Sequence, residues 1–337
     1  MRIILIGLGT VGKSFCRLLD ERKRELLSKY GLDTRIVAVS DSGGIAINEN
    51  GLDITEILSI KDSHQSISTL RGKGLKDKSG RDAIDSVDAE VVVETTPTNI
   101  ITGEPALTHL ETAIKTKKHV ITANKGPLAL SFPSLMELAR YNNVILKFSA
   151  AVGGGIPVLD FGKKCLEADT ILGIKAILNG TTNYILTEMD TKGIGYEEAL
   201  DGAKKLGYAE ADPTLDVDGF DSASKLVIIS NFLLNMDMTL KDVTVQGIRG
   251  VTLEDIAKAR DGGFTIKLVA SINGKASVGP MKIERDDPMC VSGALNSVKF
   301  ISKSAGDEVI IGKGAGGPET ASAILRDLLD IRQNMRV

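Results

Sequence analysis

The feature that most narrows what this chain can become lies at its start. RIILI (Arg2 to Ile6) runs directly into GLGTVG. An apolar run of that length reads as a buried strand. Gly7, Gly9 and Gly12 then stand at GxGxxG spacing, and a helical pattern follows in which Val11, Phe15, Leu18 and Leu19 share a face. RIVAVS (Arg35 to Ser40) supplies the next strand. This is the order a dinucleotide site needs: Gly7 makes the tight turn, Gly9 lets backbone approach a pyrophosphate, and Gly12 lets helix and strand pack closely. Thr10 and Val11 open the helix, whose N–H groups and positive dipole end face the phosphates. The fingerprint alone is weak, but strand before, helix after and an acidic residue closing the second strand make it much stronger. That residue is Asp41. Its carboxylate can accept from ribose hydroxyls and repel a 2′-phosphate, which favours NAD over NADP. The plainer reading is a turn starter before Gly43 and Gly44. No arginine follows directly, although Lys61, Arg71 and Lys73 are near enough in sequence to fold back.

At 337 residues the chain has room for two domains with cores of their own. Its 42% hydrophobic and 25% charged content is ordinary for a globular protein. A net charge of -3 and a pI near 5.8 give no support for nucleic-acid or anionic-membrane partners. No apolar run reaches transmembrane length, and the apolar N-terminus is too short for a signal peptide, so a cytoplasmic location is expected. Cys16, Cys165 and Cys290 lie far apart without a CxxC pair, which fits a reducing compartment. His64, His109 and His119 show no metal-ligand spacing, so a zinc-dependent alcohol dehydrogenase fits poorly.

Between Gly43 and Asp88 the chain is polar and irregular, with a short helix expected around Ile54 to Leu58. AEVVVETTPT (Ala89 to Thr98) is a buried strand that places Thr95 at the carboxyl end, where the nucleotide crevice lies. HVITANKGPLAL (His119 to Leu130) reads as another strand, with Asn124 and Lys125 at its end. Lys125 either neutralises a bound anion or is a surface lysine in a turn before Pro127. VILKFSAAVGGGIPV (Val144 to Val158) reads as the last strand before three glycines. The expected architecture is α/β: a Rossmann-type dinucleotide-binding domain over 1–150 and a second α+β domain over 151–306. Residues 307–337 form a closing segment.

The second half is organised around LGYAEADPTLDVDGFDSASK (Leu206 to Lys225). Glu210, Asp212, Asp216, Asp218 and Asp221 crowd into a stretch that ends on one lysine. Asp221 and Lys225 share a face if a helix starts near Phe220. A solvated acidic loop with an ordinary ion pair explains the spacing. The apolar LVIISNFLL that follows carries the lysine into a core, where proton transfer becomes a reasonable task for it. GIKAILNGTTNYIL (Gly173 to Leu186) reads as a strand, a turn at Asn179 and Gly180, and a helix capped by Thr181 or Thr182. N–H groups there can hold a carboxylate. An amphipathic helix covers Tyr196 to Gly207. VQGI, FTIKLVASI and VGPMKIE are strands of a mixed or antiparallel sheet, and Glu308 to Ile331 gives a strand, a glycine turn and a long helix.

Taken together, GLGTVG, TANK (Thr122 to Lys125), AVGGGIP (Ala151 to Pro157), NGTTNYIL, the Leu206 to Lys225 block and GKGAGGPETAS (Gly312 to Ser322) resemble homoserine dehydrogenase. The resemblance spans nearly the whole chain in order. It implies an oxidoreductase interconverting L-homoserine and L-aspartate 4-semialdehyde with NAD or NADP, in threonine and methionine biosynthesis. By the same resemblance Lys225 is the acid/base, Lys125 a second active-site lysine, and Asp221 an acidic neighbour. Glu210 and Asp216 hold the substrate with Gly180 and Thr181. Thr95, Asn124 and Gly316 fall at cofactor-side positions. The resemblance further implies a sodium ion on the backbone carbonyls of Val152, Gly154 and Ile156, with Ser149 standing where some relatives carry an acidic residue. It also implies a homodimer paired through the second domain, and a last helix that returns to the nucleotide domain. With no kinase-like segment before Met1 and no room for a regulatory domain after the last helix, feedback inhibition by threonine is not expected. The alternatives are a related dehydrogenase of another amino acid or aldehyde, and a dinucleotide sensor without catalysis. An acylating semialdehyde dehydrogenase ranks low, because none of the cysteines sits in a nucleophile context.

Overall fold

The computed structural model describes residues 1–335, and the chain divides into two compact units. One comprises Met1–Gly154 together with the chain from Gly316 onward; the other is Gly155–Ala315.

The first unit is built on a seven-stranded sheet. Its strands are β1 (Arg2–Ile6), β2 (Arg35–Asp41), β3 (Gly44–Ile47), β4 (Gly74–Leu75), β5 (Val91–Glu94), β6 (His119–Thr122) and β7 (Leu146–Lys147). Their spatial order is β4-β3-β2-β1-β5-β6-β7. From β2 through β7 every pair is parallel, which is why β1 and β5 read as continuous apolar runs: both faces are covered. The order reverses at β1, with β2 on one side and β5 on the other, and that is where an open α/β sheet leaves a crevice for a ligand. Ile6 is in register with Glu94, so Gly7 and Thr95 leave the sheet side by side. The helix Thr10–Glu21 buries Gly12, Phe15, Cys16 and Leu19. The closing helix Gly317–Asn334 adds Ile324, Leu325, Leu328 and Ile331 to the core that holds Ile3, Leu5 and Phe15.

Several expectations change here. The polar 43–88 segment carries β3, β4, the helix Ile54–Asp62 and the helix Gly80–Ser86. The last of these is fixed by a reciprocal capping box between Ser79 and Asp82. Strands of two to four residues leave too short a pattern to register as alternation. The strand expected over His119 to Leu130 ends at Thr122, and a helix opens at Lys125. Pro127 does not prevent this, because a proline in the first helical turn forfeits no intrahelical bond. Likewise β7 is only two residues long, and Ser149–Val152 turns helical.

The second unit is a six-stranded mixed sheet in the order β13-β12-β8-β10-β11-β9. The strands are β8 (Ile171–Ile177), β9 (Val243–Val245), β10 (Phe264–Asn273), β11 (Lys275–Glu284), β12 (Leu295–Ser302) and β13 (Asp307–Lys313). Only β9 and β11 run parallel. β13 pairs with β12 from Leu295–Lys313 to Ile301–Asp307, so residues 307–313 belong to this sheet and only the chain from Gly316 joins the nucleotide unit. β12 and the helix Leu253–Asp261 have no counterpart in the sequence reading. The helix Phe220–Leu233 is buried continuously from Ser222 to Asn231. Among the described residues no helix is long and apolar enough to cross a membrane.

Candidate active site

Each unit carries one group of the predicted residues. In the first, the glycine corner is shaped by close approach. Gly7 has φ +98°, and a Cβ there would lie 2.7 Å from the Thr95 backbone. A Cβ on Gly12 would lie 2.1 Å from the Gly7 carbonyl oxygen. Gly9 differs, because a Cβ on it would meet nothing within 4 Å. Two glycines are therefore demanded by the fold, and the third keeps open the face a ligand would approach. No side chain caps the Thr10–Glu21 helix at Gly9, which leaves first-turn N–H groups for an anion. The second glycine turn has its own close contacts: Gly316 has φ +126°, and a Cβ on Gly317 would fall 2.5 Å from Ser14 Oγ and 3.0 Å from Thr10 Cγ2.

Other predicted cofactor-side residues serve the frame more than the expectation had it. Thr95 Oγ1 donates to the carbonyls of Ile6 (3.1 Å) and Gly7 (2.9 Å) and props the turn from beneath. Asn124 caps the Lys125–Tyr141 helix by accepting from Gly126 N at 3.0 Å, while its Nδ2 donates to the carbonyls of Thr96 and Pro97. Lys125 is the first residue of that helix and half-buried. Sequence reading overlooked Glu94. It is fully buried at the end of β5, accepting from Thr96 N at 3.0 Å, from the Thr96 hydroxyl and from Thr122 Oγ1 at 3.3 Å. The one signal for it was an acidic residue closing the VVVE strand.

Asp41 is engaged within its own unit. Its carboxylate accepts from Gly43 N (2.9 Å), Ser66 Oγ (2.8 Å), Lys61 Nζ (2.6 Å) and Ile67 N (2.9 Å). Burial pushes its pKa up, but Lys61, the two backbone N–H groups and Ser66 outweigh that and hold it below the usual carboxylate range. Four donors fill the acceptor sites of a carboxylate. The turn-starter reading is the one this geometry favours, and the lean toward NAD that rested on ribose contacts loses its ground.

In the second unit the predicted residues converge on the turn between β8 and the helix Gly180–Lys192. Asn179 caps that helix by accepting from Thr182 N at 2.9 Å, in place of the expected Thr181 or Thr182 cap. The Asn179 Nδ2 donates to Asp216 (2.6 Å) and Asp221 (2.9 Å). Thr181 Oγ1 donates to the Tyr208 carbonyl at 2.6 Å. Lys225, only 6% exposed, donates to the Leu178 carbonyl at 2.7 Å and to Asp221 Oδ2 at 2.8 Å. An ammonium has three N–H donors, so one remains for another oxygen. Asp221 pairs with Lys225, and Asp216 shares the Asn179 amide with it, so two carboxylates and one lysine meet at this turn, a balance that suits a cationic group on a substrate. Glu210 stands apart: it is exposed and, among the described residues, has no hydrogen-bond or ion-pair partner. Asn179 was seen in the sequence only as a turn residue; the NG pair at a strand–helix junction was the available signal.

A switch-point crevice with a glycine corner, and a second unit presenting a buried lysine among carboxylates, define an NAD(P)-dependent oxidoreductase. The family model described as homoserine dehydrogenase, NAD binding domain, matches residues 7–149, and the one described as homoserine dehydrogenase matches residues 157–329. A homoserine dehydrogenase of Methanocaldococcus jannaschii is 46% identical over 332 residues, 98% of each chain. An NAD(+)-dependent homoserine dehydrogenase of Pseudomonas canavaninivorans is 38% identical, covering 99% of this chain and 96% of that one. The solved structure of a hyperthermophilic archaeal homoserine dehydrogenase mutant in complex with NADPH superposes with a TM-score of 0.87 at 27% identity, over 99% of this chain and 98% of that one. The chain belongs to the homoserine dehydrogenase family, NAD(P)-dependent oxidoreductases of amino-acid biosynthesis.

Proposed function

We propose that Lys225 moves the proton when L-homoserine and L-aspartate 4-semialdehyde interconvert. The observation that carries this is the buried ammonium held by Leu178 O and Asp221 with one N–H left over. In reduction the Lys225 ammonium gives a proton to the aldehyde oxygen and is left as the neutral amine; in oxidation that neutral amine takes the proton from the alcohol oxygen and becomes the ammonium. The bound dinucleotide supplies the complementary chemistry at carbon, accepting or donating a hydride. Asp221 orients Lys225, while Asp216 and the exposed Glu210 attract the substrate ammonium. Gly180 and Thr181 place N–H donors for its carboxylate; within the first unit, Lys125 offers a cation at the start of its helix.

Gly7, Gly9, Thr10, Val11 and Gly12 would cradle the pyrophosphate of a bound dinucleotide, with Thr95, Asn124 and Gly316 framing that site. Both dinucleotides are carried forward, because Asp41 is sealed by Lys61 and no longer argues against a 2′-phosphate. Of the groups implied for a sodium ion, Ile156 O accepts from Val158 N at 2.9 Å and keeps its second lone pair, while Ser149 donates its hydroxyl and N–H to Asp327. The chemistry above needs no cation. A homodimer is supported by Leu172, Met281, Leu295 and Ile311, large apolar side chains left exposed on the second sheet. Three unpaired cysteines suit a cytoplasmic setting. The test is nicotinamide absorbance with L-homoserine as sole substrate, NAD and NADP in parallel. No change with either would discard the reading.

A further inference from the structure

One turn along the helix from Asn179, a second asparagine does work that the proposed chemistry does not use. Asn183 is fully buried, and its Nδ2 donates to the carbonyls of Val291 (3.2 Å) and Leu295 (2.9 Å). Its Oδ1 accepts from Lys267 Nζ at 2.8 Å, and the same ammonium donates to Thr187 Oγ1 at 3.0 Å. Thr187 Oγ1 also accepts from Gly293 N at 3.2 Å. Asn183 thus pins both ends of the loop 291–295 to the helix, and Thr187 holds its middle at Gly293. Between those ends the loop carries Ala294, whose carbonyl would lie 2.8 Å from a Cβ on Gly180. The turn that offers Leu178 O to Lys225 and Asn179 to both aspartates is braced from behind by this loop.

Lys267 is an expensive way to build such a brace. It is 2% exposed on β10, and among the described residues no carboxylate bonds it; Asp190, the acid that raises its pKa, is already taken by Arg260, Arg285 and Thr265. Burial lowers its pKa to about 8, with Arg285 also lowering it and Cys290 and Asp190 opposing. A charge kept at that cost where an apolar side chain would pack is weak evidence for stability. Its geometry gives it another use, since it fixes the rotamer of the asparagine that holds the loop.

We infer that Asn183 and Lys267 are positioning residues for the substrate half of the reaction, setting the height of the Gly180 turn through the 291–295 loop. The inference rests on the proposed role of that turn. The experiment compares Asn183→Leu, Asn183→Ser and Lys267→Met with wild type, reading kcat and KM for L-homoserine, Kd for the dinucleotide, and melting temperature. A misplaced turn should cut homoserine kcat/KM by about ten- to a hundredfold in Asn183→Leu. Lys267→Met should lose less, because the ties to Val291 and Leu295 remain, and the dinucleotide Kd should stay within about twofold in all of them. Wild-type homoserine kcat/KM in folded Asn183→Leu overturns the inference, whatever happens to its melting temperature. Should that variant fail to fold, wild-type values in both Asn183→Ser and Lys267→Met overturn it. Lys225→Ala run alongside separates the two readings: full turnover there sinks the acid/base assignment, whereas normal kinetics in the Asn183 variants sinks only the brace.

Discussion

The glycine corner of the first unit and the Lys225 cluster of the second solve opposite problems. The corner has almost no side-chain chemistry. It is a set of close approaches between backbone atoms, with Gly12 jammed against Gly7 O and Gly9 facing open space. The cluster is nearly all side chain: Asn179, Asp216, Asp221 and Lys225 satisfy one another inside a helix–turn junction. A backbone site is set by sterics, so its tolerance to substitution is position-specific and indifferent to pH. A side-chain site is set by charge balance, so isosteric changes that leave the shape intact still alter it.

The sharpest way to test that contrast is Lys225→Ala. Turnover should fall by roughly a hundred- to ten-thousandfold, the range of a lost acid/base group, while dinucleotide Kd stays put. A tenfold loss or less would mean the cluster is not the proton site.

Buried charge gives the next effects. Burial raises Asp327 to about 6, against the lowering influence of Ser149, Lys147 and Arg326. A raised carboxyl contributes stability that is present below its unfolded pKa and lost as pH rises through 6. Asp327→Asn should therefore remove the fall in stability between about pH 4 and pH 6. Lys267 has the opposite sign. Its folded pKa of about 8 lies below the ordinary 10.5, so stability should climb between those pH values, and Lys267→Met should flatten the climb. Denaturant melts across pH 4 to 10.5 check both; a slope that persists in Lys267→Met would reassign it.

Smaller still is the contrast within the corner. Gly12→Ala should destabilise by about 1–3 kcal/mol as an overpacked contact. Gly9→Ala should leave the melt unchanged and weaken only the dinucleotide. Equal melting losses would mean Gly9 also serves the frame. The mildest change is Glu210→Gln, expected to raise homoserine KM by about fivefold, as befits one exposed charge; an unchanged KM removes Glu210 from the substrate set.

How legible each region was follows from the same contrast. GxGxxG between an apolar strand and an amphipathic helix is a local steric code, and Gly7, Gly9 and Gly12 stand where the spacing put them. Asp221 and Lys225 were legible too, because four residues on a helix fix their meeting. Other contacts were not. Asp41 was left between a ribose contact and a turn starter, because nothing local shows that Lys61 and Ile67 come back to it across a folded insertion. Glu94, Asn179 and Asn183 act through partners 28 to 112 residues away, and no pattern in one chain reports that. Asn124 was expected just past a strand and stands there, but the helix it caps was not seen, because the strand was carried on to Leu130.

The closing helix also has a consequence for how the molecule is made. The core of the nucleotide unit draws on Ile3, Leu5 and Phe15 from one extremity of the chain and Ile324, Leu328 and Ile331 from the other. During synthesis the earlier segment must wait, its apolar surface uncovered, until nearly all of the polypeptide has left the ribosome. The intervening unit, continuous from Gly155 to Ala315, is free to finish first.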